Sequence, residues 1–394
     1  MKKVLVLGGG FAGVEAAIFL KKENYDVTLV SERDYFYIYP TSIWIPTNEC
    51  SFDDVCVDMK QLRDSHNFNL IIDSVENISA KESCVTLKNS GKISDYDYLV
   101  IAMGSSKMKH KGIENTLSIC GAPEQSLLIR HQINKLISLG GGKICFGFGG
   151  NPNDTSAVRG GPGFELLFNI HNLLQKKGIR DNFELTFFAP MAEPGKRMGP
   201  SALKMMDMFF NKLDIKKHFG KKIKSFEKDG IIFEDDSSIE SDFTMFIPAG
   251  DGHSVAKESD LPLNPAGFIK TDDFSNVVFD DSTMPTNIYA IGDIASLEGY
   301  EWRAKQGHIA EVMARNVAHN ITQKENKTND FKGYYEHLNI LCVMDSGDGA
   351  AFVYRDEKKA FMFPMPLVGH WMKKAWGSYC RYSKLGKIPR IPGM

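Results

Sequence analysis

A glycine-rich loop between an apolar strand and a helix, close to the N-terminus, leaves this chain few possible folds. Residues 4–7 are predicted to form a buried strand, 14–22 a helix and 27–30 a second strand. The glycines between strand and helix have GxGxxG spacing: Gly8, Gly10 and Gly13. Such a βαβ unit lets the backbone approach a pyrophosphate at the positive N-terminus of the helix. The segment therefore predicts an α/β fold with a dinucleotide site.

The same site is expected to draw residues from later segments. An acidic side chain after the second strand commonly binds a ribose hydroxyl; Ser31 and Glu32 stand there, and Glu32 is the better ligand. YDYLVIAMG at 96–104 and NIYAIGDIA at 287–295 are apolar strands that run into small-residue turns. The predicted cofactor-binding residues in these segments are Gly8, Gly10, Phe11, Ala12, Gly13, Ser31, Glu32, Ala102, Gly104, Gly292 and Asp293.

A second nucleotide-type domain is predicted in the middle of the chain, but without its phosphate loop. Residues 143–150, KICFGFGG, begin like a nucleotide-binding strand, and no glycine follows at the helix-packing position of GxGxxG. This absence argues against NADH as the electron donor. The predicted boundaries are 1–105 with 281–322 for the first domain, 106–280 for the second and 333–394 for a C-terminal module.

Composition narrows the function further. The 394 residues suffice for two or three domains, and 47 basic against 49 acidic side chains give no argument for nucleic-acid binding. The seven cysteines form no CxxC pair and the ten histidines no HExxH pair, so no metal site is predicted. MKKVLVL runs directly into the glycine loop and is predicted to be a strand, not a signal peptide. No stretch of about 20 apolar residues is present to span a bilayer.

Further segments resemble the sulfide:quinone oxidoreductases. This family of two-dinucleotide-binding-domain flavoproteins is related to flavocytochrome c sulfide dehydrogenase and the type II NADH dehydrogenases. The resemblance spans essentially the whole chain and rests on YFYIYPTSIWI, SICGAPEQ, GGPGFE, AKQG, LNILCVMDSGDGA and PMPLVGHWMKKAWGSYCRYSKLG. It implies two tandem Rossmann-like domains, FAD as cofactor, sulfide as electron donor (giving polysulfide or sulfur) and a membrane quinone as acceptor. It also implies a homo-oligomer that lies peripherally on the cytoplasmic membrane.

The resemblance assigns roles to five residues, which form the candidate catalytic set. Cys342 becomes the redox thiol on one flavin face, and Cys120 a second thiol that could attach covalently to the flavin 8-methyl group. Glu165 becomes a proton acceptor, and Lys305 a cation near flavin N1 and C2=O, hence also a cofactor-binding residue. The family generally carries another cysteine just before GPxYE. Here Arg159 stands in its place, where it could hold an anionic substrate or lower the pKa of a nearby thiol.

The C-terminal tail is predicted to bind a membrane surface. From Trp371 to Met394 it contains six cations and no acid, with interleaved tryptophans and tyrosines, which is typical of interfacial segments. The cations are Lys373, Lys374, Arg381, Lys384, Lys387 and Arg390. An apolar ledge at 361–368 precedes them. The predicted quinone contacts are Leu341, Phe363 and Tyr379.

Three alternatives stay open at this point. A type II NADH:quinone oxidoreductase would need the second phosphate loop that is missing. A flavoenzyme that uses another sulfur or thiol donor would explain Arg159. A flavoprotein that has lost its thiol relay and acts as a sensor would explain it as well.

Overall fold

The structure, a computed structural model, describes residues 1–390. Its α-helices are, in chain order, α1 (Phe11–Lys22), α2 (Met59–His66), α3 (Gln125–Leu139), α4 (Gly161–Lys176), α5 (Pro200–Lys212), α6 (Ser254–Lys257), α7 (Gly307–Glu325) and α8 (Val368–Lys384). Its strands are β1 (Lys3–Leu7), β2 (Asp26–Ser31), β3 (Tyr35–Tyr37), β4 (Cys56–Asp58), β5 (Asn69–Ile72), β6 (Val75–Ser79), β7 (Cys84–Leu87), β8 (Gly91–Ile93), β9 (Tyr98–Ile101), β10 (Ser106–Lys107), β11 (Gly142–Phe148), β12 (Phe183–Ala189), β13 (Ile215–Phe219), β14 (Ile223–Glu227), β15 (Gly230–Phe233), β16 (Ser238–Glu240), β17 (Phe243–Ile247), β18 (Gly250–Asp251), β19 (Ile269–Lys270), β20 (Ile288–Ala290), β21 (Ala295–Ser296), β22 (Ile340–Asp345), β23 (Gly349–Arg355) and β24 (Ala360–Pro366).

The N-terminal segment and the strand at 288–290 form one sheet. It is parallel, with the order β20-β9-β1-β2-β5. Strand β1 is apolar and buried at its centre, as expected of a strand covered on both faces. Helix α1 begins at Phe11, earlier than the predicted Val14, because the glycine turn is already complete at Gly10. Helix α7 packs on α1 and continues to Glu325, beyond the boundary predicted at residue 322.

A second parallel sheet lies in the middle of the chain, with the order β13-β12-β11-β17. The strand predicted at 143–150 is its β11. Phenylalanines fill the space between this sheet and its helices; Phe164 of α4 stacks on Phe187 of β12 with 4.4 Å between the ring centroids. Each aromatic ring buries a large apolar area, so this core stabilises the second sheet separately from the core around the first sheet.

The C-terminal module contains more regular structure than the predicted membrane-binding tail implies. It consists of an antiparallel sheet, β22-β23-β24, and one helix, α8. In these strands every second side chain packs on the hydrophobic core of the second parallel sheet, and the side chains between them point away from it. Residues 391–394 of the predicted tail lie outside the described residues. Within residues 1–390, no helix combines the length and the apolar character needed to cross a bilayer.

Candidate active site

The glycine loop has the geometry of a dinucleotide cradle. Gly8 has φ +110°, and a Cβ added to it would stand 2.4 Å from the Ala102 carbonyl oxygen. A Cβ on Gly13 would stand 1.8 Å from the Gly8 oxygen, so helix and strand approach too closely for any side chain. A Cβ on Gly10, by contrast, would meet open space, on the side from which a phosphate would approach the helix N-terminus.

The other predicted cofactor-binding residues gather around this loop. Gly292 has φ +71°, and a Cβ added to it would lie 3.1 Å from Cβ of Ala12. At the end of β2, the buried Ser31 hydroxyl donates to the Arg33 carbonyl at 2.6 Å, whereas Glu32 is exposed. The acidic side chain is therefore the more available partner for a ribose. These features fit the phosphate and ribose of a bound FAD.

Lys305 is buried just before α7. Its ammonium donates to the Ala295 carbonyl and lies 4.0 Å from the centroid of the Phe268 ring. Burial lowers the pKa of Lys305 to about 7. Its charge therefore responds to pH in the neutral range, next to the turn that carries Gly292.

Arg159 forms an ion pair with Asp293, a contact that the sequence did not predict. Both side chains are partly buried. The pair joins the loop before α4 to the IGD turn of the first sheet, and so brings together two predicted site residues that follow strands of different sheets. No pattern in the sequence signals it, since the two residues are far apart in the chain.

The loop at 149–160 occupies the place of a second phosphate loop. Its Ser156 is fully buried, and the Ser156 carbonyl accepts the Lys305 backbone N–H at 3.1 Å. Asn151 donates to the Gly250 carbonyl at 2.9 Å, and Arg197 to that of Val158 at 3.1 Å. Before it enters α4 at Gly161, the loop is thus tied by hydrogen bonds to the segment before α7, to β18 and to the turn before α5.

Cys120 has two cationic neighbours. Burial raises the pKa of its thiol, and the positive charges of Arg159 and Lys107 act in the opposite direction. Sequence inspection missed Lys107, whose pKa is lowered to about 8 by burial and by Arg159. The two cations therefore offset part of the effect of burial on the thiol, which remains the larger effect.

The loop that carries Cys120 is fixed by the aromatic segment after β2. Three tyrosine hydroxyls donate to it: Tyr39 to the Gly121 carbonyl (3.2 Å), Tyr37 to the Pro123 carbonyl (3.4 Å) and Tyr35 to the Glu124 carboxylate (2.7 Å). We refer to Tyr35, Tyr37 and Tyr39 as the tyrosine clamp. All three can reach the loop because β3 and the turn after it run alongside residues 121–124.

Glu165, Cys342 and Lys373 form a buried cluster beneath the C-terminal sheet. Glu165 accepts from the Lys373 ammonium and from the Asp345 backbone N–H at 3.3 Å. The Cys342 thiol donates to Glu165 at 4.0 Å. Burial raises the pKa of Glu165, and burial together with Glu165 raises that of Cys342 to about 12. Cys342 is therefore a thiol, not a thiolate, at neutral pH.

A second polar group adjoins this cluster. The Asp345 carboxylate is wholly buried and accepts from Trp44 Nε1 at 3.1 Å and from the Gly347 backbone N–H at 2.9 Å. His370 Nδ1 lies 2.7 Å from Asp345 Oδ2, and its Nε2 lies 3.5 Å from Glu49. Sequence inspection missed these residues because they come from three distant segments.

The predicted quinone residues lie apart from Cys342. Leu341 and Phe363 are exposed on the outer face of the sheet, whereas Cys342 packs on the inner face, since neighbouring residues of a strand point to opposite sides. Tyr379 is half-buried on α8. Two of the six tail cations, Lys373 and Lys384, are also buried in ion pairs and do not face a membrane.

Known flavin-dependent oxidoreductases resemble this chain in both sequence and fold. Residues 2–319 match the family described as pyridine nucleotide-disulphide oxidoreductase. Over 405 aligned residues the chain is 29% identical to the sulfide-quinone reductase of Aquifex aeolicus (strain VF5), across 96% of this chain and 90% of that protein. The solved structure of sulfide:quinone oxidoreductase from Aquifex aeolicus matches with a TM-score of 0.86 at 26% identity, across 98% of this chain and 92% of that one.

A second class of relative is more distant. The type II NADH:quinone oxidoreductase of Staphylococcus saprophyticus is 23% identical over 401 residues, across 92% of this chain and 93% of that protein. The family and the shape of the glycine loop confirm FAD as the cofactor. The chain belongs to the pyridine nucleotide-disulphide oxidoreductase family and is a FAD-dependent oxidoreductase related to the sulfide:quinone oxidoreductases.

Proposed function

We propose that the protein oxidises sulfide or a closely related sulfur donor and passes the two electrons to a membrane quinone. The observation that carries this proposal is the buried Cys342–Glu165–Lys373 cluster, set under a sheet whose outer face is apolar. The similarity to a sulfide-quinone reductase along nearly the whole chain supports it. The chemistry that bound FAD supplies is the storage and transfer of two electrons. We keep the domain boundaries 1–105 with 281–322, 106–280 and 333–394, and a homo-oligomer, as parts of the proposal.

The donor side is proposed at Cys120, Arg159 and Lys107. Oxidation of hydrosulfide to zero-valent sulfur releases two electrons and one proton. The two cations attract the hydrosulfide anion and stabilise a Cys120 thiolate, so they offset part of the burial that raises the thiol pKa. With Arg159 in place of a third cysteine, this site holds the anion electrostatically and does not bridge it between two thiols.

The acceptor side is proposed at Glu165 and Lys373. Conversion of a quinone to a quinol consumes two protons, and burial raises the pKa of Glu165, so this carboxyl takes up a proton more readily than an ordinary glutamate does. Lys373, bonded to Glu165, keeps the carboxyl oriented and can stabilise developing negative charge on a quinone oxygen.

The outer face of the C-terminal module is proposed to rest on the membrane. Exposed apolar side chains cover it: Leu341, Phe361, Phe363, Leu367, Val368, Trp371 and Met372. An exposed apolar patch of this kind commonly marks an interaction surface. We place the protein on the cytoplasmic membrane in this orientation, with the quinone reaching the site from the lipid.

Anaerobic titration tests the proposed function. Sulfide at millimolar concentration should bleach the flavin absorbance at about 450 nm, and a quinone analogue should restore it. Absence of bleaching by sulfide together with bleaching by a thiol or persulfide would replace sulfide by that donor. Rapid bleaching by NADH would instead favour a type II NADH:quinone oxidoreductase.

Covalent attachment of FAD through Cys120 is a separate proposal. The tyrosine clamp fixes the loop of Cys120, as a bond to a fixed cofactor would require. A mass spectrum of the denatured protein should show an addition of about 785 Da that is absent from Cys120→Ser. An unmodified wild-type mass would refute the attachment and leave the oxidoreductase function standing.

A further inference from the structure

Quinone reduction at a buried cluster raises the question of how protons reach it. This inference rests on the proposed quinone-reducing function. One quinone, two electrons and two protons give one quinol; the oxidoreductase reaction supplies the electrons, and solvent must supply protons. Glu165 and Lys373 are both nearly inaccessible, so they need a route by which they are protonated again after each turnover.

Glu49, His370 and Asp345 form a line of ionisable side chains that runs from the surface to the buried cluster. Glu49 is partly exposed, lies 3.3 Å from the Lys374 ammonium and 3.5 Å from His370 Nε2. On its other side, His370 Nδ1 lies 2.7 Å from Asp345 Oδ2. The two ring nitrogens of His370 thus face a carboxylate at the surface and a carboxylate in the core.

The hydrogen bonds of Asp345 distinguish its two oxygens. Oδ1 accepts from the Trp44 indole and from the Gly347 N–H, which hold it in place. Oδ2 has His370 as its described partner. The backbone N–H of Asp345 itself donates to Glu165, which sets the two carboxylates side by side. The negative charge of Asp345 contributes to the raised pKa of Glu165, as expected for neighbouring carboxylates.

We propose that His370 carries protons from the surface to the quinone site. Nε2 takes a proton from solvent through Glu49, and Nδ1 gives its proton to Asp345 Oδ2. Asp345 passes it to the neighbouring Glu165 carboxylate, from which it reaches the quinone oxygen. Uptake at Nε2 makes the imidazolium cation, release from Nδ1 restores a neutral ring with its proton on Nε2, and exchange of the tautomer returns it to the starting state.

Other charged groups around His370 are consistent with this role. Lys373 and Lys374 lie on the same helix, one turn further on; the rings of Trp44 and Trp371 pack edge-on against the imidazole. The two acids, Asp345 and Glu49, face it from β22 and from the segment before Cys50. An imidazole between two carboxylates is a suitable proton carrier because each of its two ring nitrogens can either donate or accept a proton.

The test isolates the quinone half of the reaction. Enzyme reduced with dithionite, and therefore independent of the natural donor, is mixed anaerobically with a soluble quinone analogue, and flavin reoxidation is followed by stopped flow. His370→Ala should slow reoxidation at least tenfold, and added imidazole should restore much of the rate. His131→Ala, an exposed histidine on α3, is the matched control and should behave like wild type.

Three outcomes are decisive. Recovery of the rate by imidazole, with a solvent deuterium isotope effect larger than that of wild type, supports the route, because a purely structural role would not be rescued. An unchanged rate in His370→Ala, or a slow rate without rescue in a variant of normal FAD content and melting temperature, overturns it. Failure of wild-type reduced enzyme to react with any quinone refutes the proposed function itself, and the route with it.

Discussion

At the scale of single residues, the protonation state of Cys342 is set by its surroundings. Burial and the Glu165 carboxylate raise its pKa to about 12, while Lys373 acts against them. Only a thiolate attacks sulfur or an alkylating reagent, so this cysteine should react slowly until a bound cofactor or substrate changes its environment.

Removing the acid should activate Cys342. In Glu165→Gln, Lys373 remains without its partner, so the Cys342 pKa should fall, and a drop of one unit raises the thiolate fraction about tenfold. Iodoacetamide labelling at pH 8, read on the Cys342 peptide by mass spectrometry, should therefore speed up. Glu240→Gln, an exposed acid on β16, is the control. Equal labelling rates in the two variants would contradict the assigned cause.

Lys305 should make stability depend on pH. Its pKa is about 7 in the folded protein against 10.5 for the ordinary side chain, so the unfolded chain binds more protons between these values. Folding is penalised fully below pH 7, and the penalty disappears as pH rises towards 10.5. Lys305→Met should therefore melt at a higher temperature than wild type at pH 6, with the difference shrinking by pH 10. A difference that does not vary with pH would contradict this account.

At the scale of elements, helix α8 is bound to the first domain by buried charges. Lys384, fully buried, lies 2.9 Å from Glu15 of α1 and 2.6 Å from Glu311 of α7. Arg315 and Arg390 complete the neutralisation of the two acids. The sequence showed these residues only as ordinary helix charges, and the tail was expected to lie outside on a membrane. Their pairing depends on three helices meeting, which no local pattern encodes.

Removing the Lys384 charge should lower the free energy of unfolding. Lys384→Met removes the fully buried cation that is paired with both Glu15 and Glu311, and loss of one partner from a buried pair typically destabilises by about 3–5 kcal/mol. Urea denaturation should show this loss. Lys216→Met, which removes an exposed pair with Glu184, should cost less than about 1 kcal/mol. If the two variants were equally stable, the buried group would not hold α8 in place.

At the scale of the whole molecule, the sequence predicted the first domain better than the third. The strand-loop-helix of Gly8 to Gly13 follows from local sterics, so its fold and ligand could be read directly. The strand at Gly142–Phe148 was predicted for the same reason. The Arg159–Asp293 pair and the His370–Asp345 contact could not be, because each joins segments that meet only after both sheets have formed. The resemblance located Cys342 and Glu165 but not their hydrogen bonds.

The proposed membrane contact also involves the whole molecule, because the sheet β22-β23-β24 and helix α8 form the apolar face together. Val368 and Trp371 are each 68% exposed at the start of α8, beside the apolar outer face of the sheet. Replacing both by Glu removes apolar surface worth about 1.5–3 kcal/mol per side chain and adds charge, so binding to phosphatidylglycerol vesicles should fall more than tenfold in a co-sedimentation assay. Leu139→Glu, a comparable change on α3 at a side chain that is 70% exposed, should leave binding unchanged. Equal losses in both variants would mean that the outer face is not the docking surface. Retained oxidation of the reduced variant by a soluble quinone would show that docking and chemistry are separable.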